Sequence, residues 1–532
     1  MLRPVYEARR RPSFRDARRM TEQSTSYDLV AYPGQTQKGS HPHNIAIAAR
    51  LLGVAAPAPE TARVLELACG HGINLMWIAQ TVPGATCTGL DLAASGIERG
   101  NTLARTAGIG NVHLRQGDLM EVGASIGEFD YIIAHGVYAW VPEAVREQIM
   151  RICSRCLAPD GIAYVSYNTY PGNHIYEVGR RLMRMFAEQG ANPRDRIARA
   201  RTILRHFAET AIEDDDMRYC NVLRGEHQRV AAIPDYLLYH DDLSVENHPV
   251  YFADFAAHAQ RHGLRYLCEG DLADFTFRSG IIAQGNEISR IGRNRIEREQ
   301  FYDIRIGRSF RQSLLTRHAP ADDIAPVPGA LRHLRLLSDV GFDIDGPADL
   351  LSDKAVEFRP GRGLSATSKV AHVKAALAAL SSAWPASLAF DELCAGVAVR
   401  LACPREAGFE TAFATGMMQA AASGLIEFAG MPDTWVTVPG ERPRIHPLAL
   451  ALARDGQSIP TLRGRMMSVD EDLVRPLVQA LDGTRTKEEL SRLVATRAAG
   501  LNGAPPGDPA QIGRNVVNEM LGTLARAACL IA

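Results

Sequence analysis

The chain has 532 residues, a hydrophobic fraction of 46% and a formal net charge of −1, with a mean hydropathy of −0.12. That composition is globular, and the length is enough for several cores. Balanced charge leaves no electrostatic footprint for nucleic acid or an anionic membrane. No apolar run approaches the roughly 20 residues that cross a bilayer, so a cytoplasmic location with no stable membrane insertion is expected.

Residues 1–25 carry Arg3, Arg9, Arg10, Arg11, Arg15, Arg18 and Arg19 without the apolar core of a signal peptide. They read as a disordered basic tail, with Met20 an equally good start. From Ser26 the chain is rich in Tyr, Pro and His: Tyr27 to Gly34, then His41-Pro42-His43-Asn44 before a helix to about Leu52. Tyr32 and His41 are expected to line a cofactor pocket that this loop closes. Asn44 reads as the helix cap. His41 and His43 lack a clear third ligand, and no metal is expected.

Val64 to Asn74 reads as a buried strand, a glycine turn and the start of a helix over Ile73–Val82. Gly70 and Gly72 let a ligand lie against backbone, and the helix points its first N–H groups at it. The dinucleotide spacing G-x-G-x-x-G fails, because Leu75 holds the third position. Glu66, inside the strand, disfavours a diphosphate and suits a cation. The second strand, Ala85 to Leu92, ends in Asp91, placed to accept from both ribose hydroxyls. The third, Val112 to Asp118, ends in Asp118, placed to accept from an adenine amino group. S-adenosylmethionine carries a sulfonium and an ammonium and no phosphate, and it fits the three acids together. The expected cofactor-binding set is Tyr32, His41, Glu66, Gly70, Gly72, Asn74, Asp91, Leu92, Asp118, Leu119 and His135. The alternative is an ordinary strand–helix turn with capping acids.

The fourth strand, Phe129 to Gly136, runs into Val137-Tyr138-Ala139-Trp140-Val141-Pro142. A helix over Pro142–Leu157 follows, holding Cys153 and Cys156 as a buried reduced pair. The fifth strand, Gly161 to Tyr167, delivers Asn168-Thr169-Tyr170-Pro171-Gly172 to the same rim. Ligands in such sheets bind at strand carboxyl ends. His135, Tyr138, Trp140, Tyr167 and Tyr170 are therefore expected around the transferable methyl, with core packing as the bland fate of the aromatics.

Phe129 to Pro142, Val165 to Gly172, Tyr239-His240-Asp241-Asp242-Leu243, Asn247 to Phe252 and Phe310 to Leu315 together resemble bacterial class I methyltransferases with a methyltransferase regulatory domain. The resemblance covers roughly residues 25–320 and extends to rickettsial-type protein-lysine methyltransferases that modify outer-membrane proteins. It implies a Rossmann-like core, a dimerisation segment, middle and C-terminal domains, and a homodimer. Ala139 stands where relatives often have Ser.

The implied fold class is α/β: a Rossmann-like methyltransferase with a seven-stranded sheet, a helical insertion and α+β, winged-helix-like C-terminal domains. Residues 26–172 form the core and 173–250 the insertion, with an acidic patch at Glu213-Asp214-Asp215-Asp216. Residues 251–318 complete the sheet, His318–Pro328 is a linker, 329–455 a middle domain and 460–532 a winged-helix-like domain in which Thr486 caps a helix. Lacking a strongly basic helix, that domain is expected to contact protein rather than DNA. The function read from all this is methyl transfer from S-adenosylmethionine to lysine side chains of a protein. The alternatives are a small-molecule or other acceptor, and a binding protein that senses the cofactor. A lysine near pKa 10.4 must lose its proton first, at about 4 kcal/mol near pH 7.4, with His135 the expected assistant.

Overall fold

The computed structural model describes residues 29–30, 32–210, 216–275, 290–322, 324–361, 365–500 and 507–532. The basic tail and residues 213–215 of the acidic patch lie outside the described residues. Contacts divide the chain into two units, one of residues 1–33 with 175–245 and one of residues 34–174 with 246–532.

In the larger unit helix α1 (Pro42–Leu51) leads into strand β1 (Arg63–Leu67), helix α2 (Ile73–Thr81), β2 (Thr86–Asp91), α3 (Ala94–Thr106), β3 (Val112–Gln116) and β4 (Phe129–Ala134). Helix α4 (Glu143–Cys156) and β5 (Leu157–Asn168) come next, and helix α5 (Gly172–Ala187) then carries the chain out into the smaller unit. There helices α6 (Pro193–Glu209) and α7 (Met217–Ala232) pack around Met183, Ile197, Leu204, Leu223, Val230 and Leu238. Arg229 ties this unit by bridging Glu226 at 2.8 Å and Asp242 at 2.7 Å. The chain returns through α8 (Phe252–Arg261), β6 (Arg265–Glu269), α9 (Arg295–Ile306) and β7 (Phe310–Thr316).

The strands form one sheet of seven in the order β3-β2-β1-β4-β5-β7-β6. All pairs are parallel except those of β7, which runs antiparallel to β5 and β6. The excursion through α5–α7 falls before β6, where the sheet is still two strands short. Strand period sorts side chains onto two covered faces. Val64, Tyr131, Ile133, Ile162 and Tyr164 face the core shared with α1–α3. Leu65, Leu67, Ile132, Ala163, Val165 and Tyr167 face α4 and α8. Chain order reverses between β1 and β4, so the sheet's crevice opens at their carboxyl ends.

Local chemistry departs from the sequence reading in two places. Strand β5 starts at Leu157, straight after α4, rather than at Gly161. Asn44 does not cap α1: His41 does, its Nδ1 accepting from the His43 N–H, and the Asn44 amide donates instead to Gly270 O at 2.6 Å. Cys153 and Cys156 lie buried in and at the end of α4 as free thiols.

Beyond β7 a three-stranded sheet of Arg335–Leu337, Leu388–Ala389 and Glu427–Ala429 packs with helices Ala371–Ala383, Phe390–Arg400 and Ala407–Ala422. The last part pairs Arg444–Ile445 with Leu530–Ile531 around helices Pro447–Arg454, Lys487–Ala499 and Pro509–Arg526. Thr486 closes a capping box with Glu489, as its sequence position predicts. Among the described residues no helix is long and apolar enough to cross a membrane.

The antiparallel edge depends on one buried cation. Arg311 on β7 has no exposed side-chain surface and reaches Glu269 of β6 at 2.7 Å, Asp303 at 2.7 Å and Glu299 at 3.0 Å on α9. Its guanidinium also lies 3.8 Å from the Phe252 ring centroid. Removing one partner of such a cluster leaves uncompensated buried charge, at about 3–5 kcal/mol. Arg311→Leu is expected to lower unfolding free energy by that amount in urea titration, and a loss below about 1 kcal/mol would contradict this account of the edge.

Candidate active site

Three left-handed residues make the turn after β1: Ala68 at φ 56°, Gly70 at 57° and Gly72 at 74°. Gly72 is the N-cap of α2. Its position is doubly glycine-specific, because a Cβ there would also come within 2.7 Å of Leu114. Ala68 takes a conformation that costs a non-glycine residue about 1 kcal/mol.

The acids expected around this turn occupy different settings. Glu66 is buried; its Oε1 accepts from the Asn74 amide at 3.0 Å, and its Oε2 is buried with no partner. Burial pushes its carboxyl up to about 8, against the favourable Asn74 hydrogen bond. Asp91 is half-buried and ties two turns together, Oδ2 accepting from Gly70 N–H and Oδ1 from Ala93 N–H, both at 2.8 Å. Burial raises its pKa, and these backbone bonds oppose the rise. Asp118 is exposed and accepts from Met120 N–H at 2.9 Å, capping the short turn that follows β3. Leu92 is 70% exposed beside Asp91, an apolar side chain left in the open, while Leu119 is buried.

Asn74 is the hub. Its Oδ1 accepts from Gln37 N–H at 2.9 Å, and its Nδ2 serves both Glu66 and Ser40 Oγ, the latter at 3.1 Å. The 34–40 loop thereby lies over the glycine turn: a Cβ on Gly34 would fall 2.2 Å from Ile73. Gln37 and Ser40 are members that sequence reasoning missed, since nothing local marks a backbone N–H or a serine 34 to 37 residues away. His41 points elsewhere. Its Nε2 lies 2.9 Å from Thr81 Oγ1 and its ring sits between His43 and Trp77, with burial lowering its pKa to about 3. It lines a separate cleft of about 130 Å³ with Trp77, Phe428 and Trp435. Tyr32 belongs to the smaller unit, where its ring packs edge-on against Tyr236 and His240 at 5.2 and 5.6 Å.

The aromatic residues divide sharply. His135 ends β4 half-buried, with Nδ1 2.9 Å from the Tyr164 hydroxyl and burial lowering its pKa to about 4, so its imidazole is neutral. Tyr170 is half-buried after β5, stacks on His174 at 4.0 Å and approaches Tyr251 at 5.4 Å. Trp140 is half-buried at the end of a short helical turn. Tyr138 and Tyr167 are core residues and not pocket walls. Tyr167 stacks on Phe255 at 3.9 Å with its hydroxyl on Ser313, and Tyr138 puts its hydroxyl 2.7 Å from His258 Nδ1. Strand period explains Tyr167: it falls on the face covered by α8. The rim also holds Phe310, which pairs with Asn168 across β5 and β7 and lies 6.1 Å from the His135 ring. It holds Asn247 too, which accepts from the Asn168 amide at 3.0 Å.

Residues 64–161 match the model of a methyltransferase domain, 234–317 that of a predicted methyltransferase regulatory domain, and 441–528 that of the PKMT C-terminal winged helix domain. The protein RP028 of Rickettsia prowazekii is 34% identical over 242 residues, 46% of this chain and 96% of that protein. RP789 of the same organism is 35% identical over 292 residues, 54% of this chain. The match spans about half the length of RP789, 52%. The structure of PKMT2 from Rickettsia typhi superposes with a TM-score of 0.82 at 23% identity, covering 94% of this chain and all of that one. The same protein in complex with AdoHcy gives a TM-score of 0.81, with the same coverage. The match to RP028 places the chain in that protein's family, and the seven-stranded sheet, the glycine turn and the domain matches identify it as a class I S-adenosylmethionine-dependent methyltransferase with a methyltransferase regulatory domain and a PKMT-type winged helix domain.

Proposed function

We propose that the chain methylates lysine side chains of a protein, an outer-membrane protein being the acceptor that the family resemblance points to, and that it does so in the cytoplasm. The observation that carries the reading is the aromatic rim of Tyr170, His174 and Tyr251 at the end of β5, on the same edge of the sheet as the glycine turn. The PKMT name of the structural relative and of the winged-helix model supports it.

S-adenosylmethionine supplies the electrophilic methyl group when bound. The residues fit it: Glu66 offers a buried, orphaned oxygen to the ammonium, and Gly70 has open space where a Cβ would stand. Asp91 would receive the ribose hydroxyls, and Asp118, Leu92 and Leu119 would flank the adenine. The ring faces of Tyr170, His174 and Tyr251 hold the methylated ammonium by cation–π attraction. His135, neutral at physiological pH, accepts a hydrogen bond from the amine. Alignment of amine and methyl supplies most of the acceleration, roughly 7–11 kcal/mol. Residues 173–250 form the dimer contact of a homodimer, supported by exposed Ile175, Met185, Phe186, Phe207 and Tyr219.

Turnover with radiolabelled S-adenosylmethionine on a native proteome including membranes is expected to label protein bands, with methyl-lysine in the labelled peptides. Asp91→Ala abolishes the label. Label confined to small molecules, or cofactor binding without turnover, would overturn the reading. The Glu66 carboxyl gives an independent test of the cofactor site. Its folded pKa of about 8 stands above the ordinary 4.5, so the free protein loses stability as pH rises between those values. At pH 7 it is protonated, and binding a cation beside it expels the proton. Calorimetry in two buffers is expected to show release of about one proton per cofactor, with affinity rising about tenfold per pH unit up to pH 8. Both effects vanish in Glu66→Gln, and a pH-independent wild type would remove Glu66 from the site. Light scattering is expected to give a dimer that Met185→Ser with Phe186→Ser converts to monomer, and a monomeric wild type would exclude the dimer.

A further inference from the structure

Helices α4 and α8 are joined by a cluster that methyl transfer does not use. Glu147 projects from α4, and His258 and His262 come from one face of α8 and its C-cap, four residues apart. His258 Nε2 lies 2.9 Å from Glu147 Oε1, and His262 Nε2 lies 3.0 Å from Glu147 Oε2. The two imidazole nitrogens and the carboxylate fall within 4.8 Å of one another. The buried His258 Nε2, although 2.9 Å from the carboxylate, completes no hydrogen bond there.

We propose that Glu147, His258 and His262 bind a divalent transition-metal ion, Zn²⁺ by preference, with water at the fourth position. Each imidazole nitrogen lies about 3 Å from a carboxylate oxygen and all the ligand atoms fall within 4.8 Å, which suits an ion held at 2.0–2.2 Å by two imidazoles and one carboxylate. Two nitrogen ligands select against calcium and magnesium. The Glu147 side chain is 36% exposed, which leaves an entry path. His258 is also oriented from behind, because its Nδ1 lies 2.7 Å from the Tyr138 hydroxyl. A metal-bound histidine fixed through its other nitrogen is the usual outer-sphere arrangement. With Nε2 on the metal, Nδ1 carries the ring proton and donates to Tyr138 Oη. The competing cation is Arg261, whose guanidinium is 3.8 Å from the same carboxylate and largely exposed.

The ion staples α4 to α8 and, through His258, holds the turn that begins at Tyr138 and ends at Trp140. It is a structural metal, independent of which acceptor the enzyme uses.

The test uses the full-length, tag-free protein, stripped by chelator dialysis and titrated with ZnCl₂ against a chromophoric chelator. One equivalent is expected to bind at submicromolar free zinc, to raise the melting temperature, and with Co²⁺ to give the intense visible absorption of a four-coordinate site. His262→Ala and Glu147→Gln are each expected to weaken binding about 10–100-fold and to abolish the melting shift, with circular dichroism and cofactor binding unchanged. Glu147→Gln is isosteric and keeps a hydrogen-bonding amide at this half-buried position, so it remains readable if His262→Ala misfolds. No saturable binding at micromolar zinc, or equal binding in wild type and Glu147→Gln, overturns the proposal; the latter would send the ion to another site such as the exposed Cys403.

Discussion

A carboxylate taken out of water at the end of β1 governs the geometry of this site. Glu66 has one oxygen on the Asn74 amide and the other unpartnered. Holding it there requires Asn74 in the first turn of α2. That in turn requires the left-handed Gly72 cap and a loop from residues 34–40 that saturates the other atoms of the Asn74 amide. Burial raises the Glu66 pKa at a cost to the free protein, because desolvation disfavours the charged form. A positive charge beside the orphaned oxygen would offset that cost.

The C-terminal half packs directly against the helix that follows the glycine turn. Trp77 on α2 donates to Leu462 O at 3.4 Å, and Gln80 on the same helix meets His446 Nδ1 at 2.6 Å and accepts from Leu448 N–H at 2.9 Å. One continuous apolar core runs from α1–α3 through the middle domain into the last helices. The second half of the helix whose N-terminus faces the glycine turn is thus held against the winged-helix domain.

Much of the fold is legible in the chain itself. Alternating apolar strands and amphipathic helices give the doubly wound sheet, and the failed dinucleotide spacing at Leu75 together with Glu66 points away from a diphosphate. The missing strands before residue 172 announce the insertion. The aromatic residues were less legible. Tyr138, Tyr167 and Tyr170 look alike in sequence, all near strand exits, yet Tyr167 lies on the α8 face and Tyr138 turns inward to His258, while Tyr170 stays at the rim. His41 and Tyr32 likewise sit in a loop before the glycine turn, but one caps α1 and the other packs on Tyr236.

The amino-acid sequence alone determined what depends on neighbours along the chain: strand and helix periods, the φ-permissive turn at Gly70 and Gly72, and the acids at successive strand ends. Only the tertiary structure decided what depends on contacts across the chain. It brought Gln37 and Ser40 to Asn74, and Arg311 to carboxylates on β6 and α9. It set His258 and His262 opposite Glu147 and docked the winged helix on α2. The reason is physical: local periodicity chooses the face a side chain takes, but its partner there is chosen by the packing of segments tens to hundreds of residues away.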